Sequence, residues 1–233
     1  MSSLAIIPAR GGSKRIERKN IKEFNGKPIM VYAIESAFRS ELFDEVMVST
    51  DDDEIAAVAL ENSAKVPFKR SAENANDFAT LADVLIEVVL NYKEQGKIFD
   101  MVCCILPTAA LITQERLKEG HQKISSEKYN SVVPVIKFAY PIQRALKDDN
   151  GFLKMREPEH YRSRSQDLES YYHDSGQFYW IETEALLNEK TMFAGKAGYI
   201  ELKETEAQDV DTLLDWKMLE IKYEYLKTKT DLE

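Results

Sequence analysis

The sequence predicts an open, mostly parallel α/β sheet with helices on both faces, a three-layer arrangement, and three observations predict it. Short apolar runs alternate with amphipathic ones along most of the chain, the pattern of strand–helix units joined by right-handed crossovers. Phe99 to Leu106 is nearly all apolar after Asp100, as a central strand covered on both faces must be. A glycine-rich basic loop follows directly on the first apolar strand, where backbone amides and cations can gather around an anion. With 233 residues, 44% hydrophobic, the chain can bury one sizeable core, and residues 1–233 read as a single domain.

Each element follows from its own pattern. Leu4 to Ala9 is the first strand. Pro28 opens a helix through Ser40, proline being well placed in a first helical turn, with Ile29, Tyr32, Ala33, Ser36 and Ala37 on its mostly apolar side. Glu45 to Thr50 is the second strand, and Asp51-Asp52-Asp53 caps a helix containing Ile55, Ala56, Val58, Ala59 and Leu60. A short strand is expected over Ala64 to Phe68. A long helix from Phe78 to Gln95 follows, its buried stripe being Leu81, Val84, Leu85, Val88 and Val89. Pro107-Thr108 ends the central strand; Thr113 to Glu127 then reads as helix and Ser131 to Ile136 as strand.

From Lys137 to Tyr172 charged residues, prolines and aromatics mix without a clear period, which marks an insertion or arm outside the central sheet. Its Phe138, Tyr140, Phe152, Tyr161, Tyr171 and Tyr172 need a cover, on the parent domain or on a partner subunit. Gln177 to Ile181 and Gly198 to Leu202 are strands either side of a short helix, Thr183 to Asn188. The last helix begins near Asp211 and carries Leu213, Leu214, Trp216, Met218, Leu219 and Ile221.

A formal charge of -9 argues against broad nucleic-acid binding. No secretory or membrane-spanning apolar run develops, which points to the cytoplasm. Cys103 and Cys104, adjacent in a strand, face opposite ways and serve as apolar filling; His121, His160 and His173 are too scattered for a zinc site.

Against the acidic background, five Arg or Lys residues in the ten positions from Arg10 to Lys19 form a local feature. Gly11 and Gly12 permit a backbone concavity, and Arg10, Lys14, Arg15 and Lys19 can neutralise a polyphosphate gathered there. The spacing fits neither a P-loop nor a GxGxxG fingerprint, and a tight turn with a solvated basic face is the alternative. Asp209-Val210-Asp211, if extended, turns both carboxylates to one side, where a divalent cation can bridge them to a polyphosphate; helix capping competes as an explanation. Asp51-Asp52-Asp53 suits a capping role. Arg70 and Asp77 lie on the irregular approach to the long helix, within reach of a nucleotide or phosphate. Arg162-Ser163-Arg164-Ser165-Gln166-Asp167 offers planar donors for a carboxylate ligand, or is a solvated arm. His173-Asp174-Ser175-Gly176-Gln177, before Phe178-Tyr179-Trp180, reads as a pocket-ordering loop rather than a hydrolytic triad, because adjacency orients no base.

Together these segments resemble the cytidylyltransferases that activate nine-carbon acidic sugars, across essentially the whole chain. The landmarks are Ile6 through Arg15, Arg18-Lys19-Asn20-Ile21, Gly26-Lys27-Pro28, Val48-Ser49-Thr50-Asp51-Asp52 and Asp209-Val210-Asp211-Thr212; Ser165-Gln166-Asp167 and Tyr172 through Trp180 are most similar to the pseudaminic acid branch. The resemblance implies a Rossmann-like nucleotidyltransferase fold with a dimerisation arm at 137–172, and transfer of CMP from CTP to pseudaminic acid with release of pyrophosphate. It implies that Arg10, Gly11, Gly12, Ser13, Lys14, Lys19 and Asn20 contact CTP, supported by Arg70 and Asp77. Asp209 and Asp211 would hold Mg2+ and act in catalysis with Arg10, Lys14 and Lys19. Arg162, Arg164, Gln166, Asp174, Gln177 and Tyr179 would meet the sugar, in a homodimer or a higher oligomer. Where the sialate branch has Gln-Pro-Thr-Ser-Pro, this chain has Leu106-Pro107-Thr108-Ala109-Ala110, which removes groups expected to read neuraminate; Glu17 and Glu169 replace two common prolines. Synthesis of CMP-N-acetylneuraminate or CMP-legionaminate, or silent nucleotide-sugar binding, are the competing expectations.

Overall fold

The structure is a computed structural model that describes residues 1–126 and 128–230. Its first half runs β1 (Ser3–Pro8), β2 (Glu23–Phe24), β3 (Lys27–Pro28), α1 (Ile29–Ser40), β4 (Glu45–Ser49), α2 (Asp53–Glu61), α3 (Ala72–Ala75), α4 (Leu81–Glu94), β5 (Met101–Ile105) and α5 (Gln114–Ile124). The second half runs β6 (Ser131–Lys137), β7 (Leu146–Asp149), β8 (Phe152–Met155), β9 (Tyr172–Asp174), β10 (Phe178–Glu182), α6 (Thr183–Glu189), β11 (Ala197–Leu202) and α7 (Leu213–Thr230).

Local chemistry sets the helix starts. Asp52 caps α2 by accepting from the Ile55 amide, Thr113 caps α5, and Thr80 with Asp83 forms a reciprocal capping box that starts α4 at Leu81. That box explains why the helix begins three residues later than the apolar pattern suggests, leaving Phe78 almost wholly exposed. Thr212 and Asp215 make the same exchange before α7, which starts at Leu213 rather than near Asp211.

The main sheet has the order β11-β6-β10-β5-β1-β4, with β9 alongside β6. β4, β1 and β5 are parallel, β10 runs antiparallel to both β5 and β6, and β11 is parallel to β6. Only β10 and β9 oppose the common direction, so β5 has a parallel neighbour on one side only. The strand expected over Ala64 to Phe68 reduces to a single bridge between Lys65 and Met47.

Alternation along the strands builds two cores. Ile7, Val48, Cys103, Val132 and Trp180 face α1, α2 and α5, whereas Ile6, Met47, Cys104, Val133 and Tyr179 face α4 and α6. Gly120 on α5 is required by close approach, since a Cβ there would lie 2.8 Å from Trp180. A third cluster joins the outer side of α1 to α7 through Phe24, Tyr32, Trp216 and Leu219. Phe24 meets Tyr32, Trp216 and Tyr223 edge-on at 5.5, 5.7 and 5.3 Å.

Two features come from turn chemistry. Asn25-Gly26 and Asn150-Gly151 both have positive φ at each residue and close two-residue hairpins, β2–β3 and β7–β8. The second hairpin stands in the arm as a separate two-stranded sheet, exposing Leu146, Phe152 and Leu153. β9 and β10 are successive partners of β6, interrupted where β6 carries Pro134, which has no amide to donate; Gly176, at φ +64, turns the chain there.

Candidate active site

The loop after β1 is pinned at both ends. Asn20, buried, donates from Nδ2 to the Arg10 carbonyl at 2.9 Å, and the Ser13 amide donates to the Gly11 carbonyl at 3.0 Å. Gly11 is the tight point. Its amide donates to Asp51 Oδ1 at 2.9 Å, and a Cβ would approach Asp52 Oδ2 to 2.8 Å. The Gly11 amide is therefore committed within the chain, whereas Gly12 is open to solvent with nothing near its Cα face.

The five loop cations divide among four acidic partners. Arg18, in the left-handed region, turns away to bind both Asp52 oxygens and Glu54, so it leaves the cleft-facing side of the loop. Its guanidinium is the main reason the Asp52 carboxyl falls to about 2, with the Ile55 amide adding to the effect. Arg10 and Lys14 converge on Asp77, Arg10 at 3.1 Å, and Arg10 also donates to the Asn76 carbonyl at 2.7 Å. Arg15 and Lys19 converge on Asp211 at 2.8 and 3.8 Å. The three adjacent aspartates likewise diverge: Asp51 to Gly11, Asp52 to Arg18 and the α2 cap, Asp53 to Lys69 at 2.6 Å.

Above β1 and β5 these groups bound a cleft of about 480 Å³, lined by Arg10, Ser13, Lys14, Arg15, Lys19, Asn20, Asp77 and Asp209, with Ile16, Leu106 and Pro107 as apolar wall. Lys19 donates to the Val210 carbonyl, fixing the loop to the segment before α7. Val210 is fully buried, which leaves Asp209 and Asp211 as its outward neighbours. Helix capping is performed by Thr212 and Asp215, so the Asp211 carboxylate is available to the cations. Burial, then the neighbouring Asp211, pushes the Asp209 carboxyl above its usual range, while burial holds Lys19 below its usual range. Two carboxylates repelling each other in a partly desolvated cleft are a hard-oxygen donor set that a divalent cation would relieve, and the residues present fit Mg2+.

Gly176 was not legible as a site residue from composition. It backs directly onto Asp209, a Cβ there falling 3.3 Å from both Cβ and Cγ of the aspartate. The signal was an isolated glycine inside a strand-like run. Arg70 is buried rather than facing the cleft: it donates to Ser49 Oγ at 3.1 Å and to the Ser49 carbonyl, tying the α3 approach to the end of β4. It lines a smaller pocket of about 230 Å³ that shares Pro8, Arg10 and Asp77 with the main cleft.

The sequence-predicted sugar residues are not gathered in one place within the chain. Asp174 and Tyr179 line a pocket of about 310 Å³ beside Thr80 and Phe193, and the buried Tyr179 hydroxyl donates to Asp174 at 2.5 Å. Burial first, and Asp174 second, raise the Tyr179 hydroxyl well above the ordinary tyrosine range, so it remains a donor. Gln177 is buried, and its Oε1 has no partner among the described residues. Arg162, Arg164 and Gln166 are exposed on the arm, where Arg164 pairs with Asp167 at 2.8 Å.

This constellation and fold are those of a nucleotidyltransferase, and residues 4–228 match the Cytidylyltransferase family, to which the chain belongs. It is 41% identical to the pseudaminic acid cytidylyltransferase of Campylobacter jejuni subsp. jejuni serotype O:2, over 96% of this chain and 97% of that one. It is 30% identical to the CMP-N,N'-diacetyllegionaminic acid synthase of Legionella pneumophila subsp. pneumophila, over 94% and 95% of the two chains. Among solved structures, CMP:2-keto-3-deoxy-manno-octonic acid synthetase complexed with CTP superposes with a TM-score of 0.69 at 18% identity, over 95% of this chain and 98% of that chain, which establishes the shared fold.

Proposed function

We propose that this chain transfers CMP from CTP to pseudaminic acid, releasing pyrophosphate. The observation that carries the reading is the single cleft in which Arg10, Ser13, Lys14 and Lys19 stand opposite Asp209. The high identity to a pseudaminic acid cytidylyltransferase along nearly the full length of both chains supports the choice of sugar.

In this reading the polyphosphate lies along the loop, and Arg10 and Lys14 exchange Asp77 for phosphate oxygens. Lys19, half-buried and tied to Val210, positions its charge near the α-phosphate. The sugar's anomeric hydroxyl attacks the α-phosphorus and pyrophosphate departs. Arg10, Lys14 and Lys19 stabilise the charge that develops, since phosphoryl transfer depends chiefly on positioning and electrostatics. Asp209 and Asp211 would hold Mg2+, which when bound supplies Lewis-acid stabilisation of phosphate oxygens. Leu106 presents an apolar wall to the ligand. Asp77 serves nucleotide binding through the cations it orders.

The same reading makes residues 1–233 one catalytic unit acting in the cytoplasm as a homodimer. Exposed Arg162, Arg164 and Gln166 on an arm with its own hairpin support delivery of these residues to a partner's sugar site. Among the described residues no helix is long and apolar enough to cross a membrane.

The test is a panel assay with CTP and pseudaminate, neuraminate or legionaminate, following pyrophosphate and product mass. CMP-pseudaminate should form fastest. Efficient neuraminate turnover without pseudaminate turnover would refute the sugar assignment, and nucleotide binding without any turnover would make the chain a silent binder. A cytosine-reading pocket should also reject UTP, so equal turnover with UTP would refute that part.

A further inference from the structure

The last helix, α7, has two apolar faces. Trp216, Leu219, Tyr223 and Leu226 pack inward on the third core cluster. On the far side Leu214, Met218 and Ile221 recur at intervals of four and three, with exposures of 71, 39 and 53%, and Tyr225 extends the row at 42%. A row at that spacing is a coiled-coil seam, and Leu214, Met218 and Ile221 line neither the cleft nor the two sheet cores.

The flanking charges select the occupant. Set antiparallel about a two-fold axis, two such helices oppose Leu214 with Tyr225 and Met218 with Ile221, and bring Lys217 of one copy beside Glu224 of the other, twice. A parallel pair would instead place Lys217 beside Lys222, like against like. On the other flank, Asp215 is held by the Thr212 cap and Lys222 by the Ala207 carbonyl at 2.8 Å, so neither competes. In the single chain Lys217 meets Glu220 at 2.8 Å across one exposed turn, a contact it can exchange. We infer that α7 is a self-association surface, pairing antiparallel with α7 of a second copy through Leu214, Met218 and Ile221 and the Lys217–Glu224 contacts. This surface is distinct from the 137–172 arm and does not depend on the sugar assigned above.

Two measurements on the full chain test it. Chains carrying Met218→Cys, mixed with chains carrying Ile221→Cys and oxidised, should give a disulfide-linked pair in excess of either chain alone; Cys103 and Cys104 are fully buried and give no background. Solution mass across dilution should show Lys217→Glu moving dissociation of this contact to at least tenfold higher concentration, and Lys217→Glu with Glu224→Lys restoring it. Absence of the mixed disulfide, or dissociation indifferent to Lys217→Glu, overturns the inference. A mass that falls with Met218→Glu but no 218–221 cross-link would place some other element of the second copy on this face, such as the arm hairpin, and overturns the helix pairing. Turnover of CTP by the same variants reports separately on the proposed reaction.

Discussion

Replacing Gly176 by alanine perturbs two quantities that can be read apart. The first is backbone strain: Gly176 has φ +64, and a residue with a Cβ in the left-handed region costs about 1–2 kcal/mol. The second is contact, because the new Cβ lies 3.3 Å from Cβ and Cγ of Asp209, closer than ordinary van der Waals separation, and 3.5 Å from its Oδ1. Gly151 provides the control. It sits in the β7–β8 turn at φ +87, and nothing lies within 4 Å of a Cβ placed there. Gly176→Ala and Gly151→Ala should therefore lose similar stability, about 1–2 kcal/mol each, or roughly 2–8 °C in Tm for a chain of this size.

Only Gly176→Ala should move Asp209. Displacing the carboxylate proposed to hold Mg2+ by a few tenths of an ångström should lower kcat/KM by about tenfold, given that a 1 Å misplacement costs on the order of a hundredfold. It should also raise the magnesium concentration needed for half-maximal rate. The assay is steady-state pyrophosphate release at 25 °C across a magnesium titration, with thermal unfolding of both variants alongside. Equal kcat/KM for the two variants, or a slower Gly176→Ala enzyme with unaltered magnesium dependence, would refute the argument that Gly176 is a glycine for the sake of Asp209.

Asp209→Ala and Asp211→Ala should each lower turnover and weaken magnesium use with little loss in Tm, since Thr212 and Asp215 do the capping; folded, fully active variants would return the pair to a structural role. Lys14→Ala should raise the dissociation constant for CTP measured by calorimetry, and Asp77→Asn should raise it too by removing the carboxylate that orders Arg10 and Lys14; unchanged or tighter CTP binding by Asp77→Asn would contradict that ordering role. Glu45 is a stability prediction with a pH sign. Burial raises its carboxyl, but hydrogen bonds from Lys65, Tyr92 and Lys97 outweigh that and bring it to about 2, below the ordinary 4.5. A depressed native pKa stabilises above the unfolded value and is lost as pH falls, so Glu45→Gln should cost about 1–3 kcal/mol at neutral pH, with the gap to the native chain closing between pH 4.5 and 2. A gap independent of pH would refute it.

What was legible in the sequence was local. The strand–helix alternation, the fully apolar β5, the opposite facing of Cys103 and Cys104, and the Asp52 and Thr113 starts all rest on neighbours a few residues apart, and the structure has them. The Asn-Gly turn at 150–151 was equally local, but its strands Leu146–Asp149 and Phe152–Met155 are exposed on both faces and so lack the alternation that reveals a strand. Of the six apolar residues that the sequence places on the last helix only Trp216 and Leu219 are buried, because apolar character does not say which of two faces meets the core. Least legible was the division of the basic loop. Arg18 and Lys19 are neighbours, yet one belongs to Asp52 and the other to Asp211, partners 34 and 192 residues away. No periodicity encodes such pairings; Asp52 follows β4, which lies beside β1, and Asp211 precedes α7, which packs on the outer side of α1. That arrangement has a consequence for the site. Arg10 and Lys14 rest on Asp77, and Arg15 and Lys19 on Asp211, so carboxylates hold the loop cations in place until a polyanion takes them, and nucleotide binding becomes an exchange of partners rather than the assembly of a disordered loop.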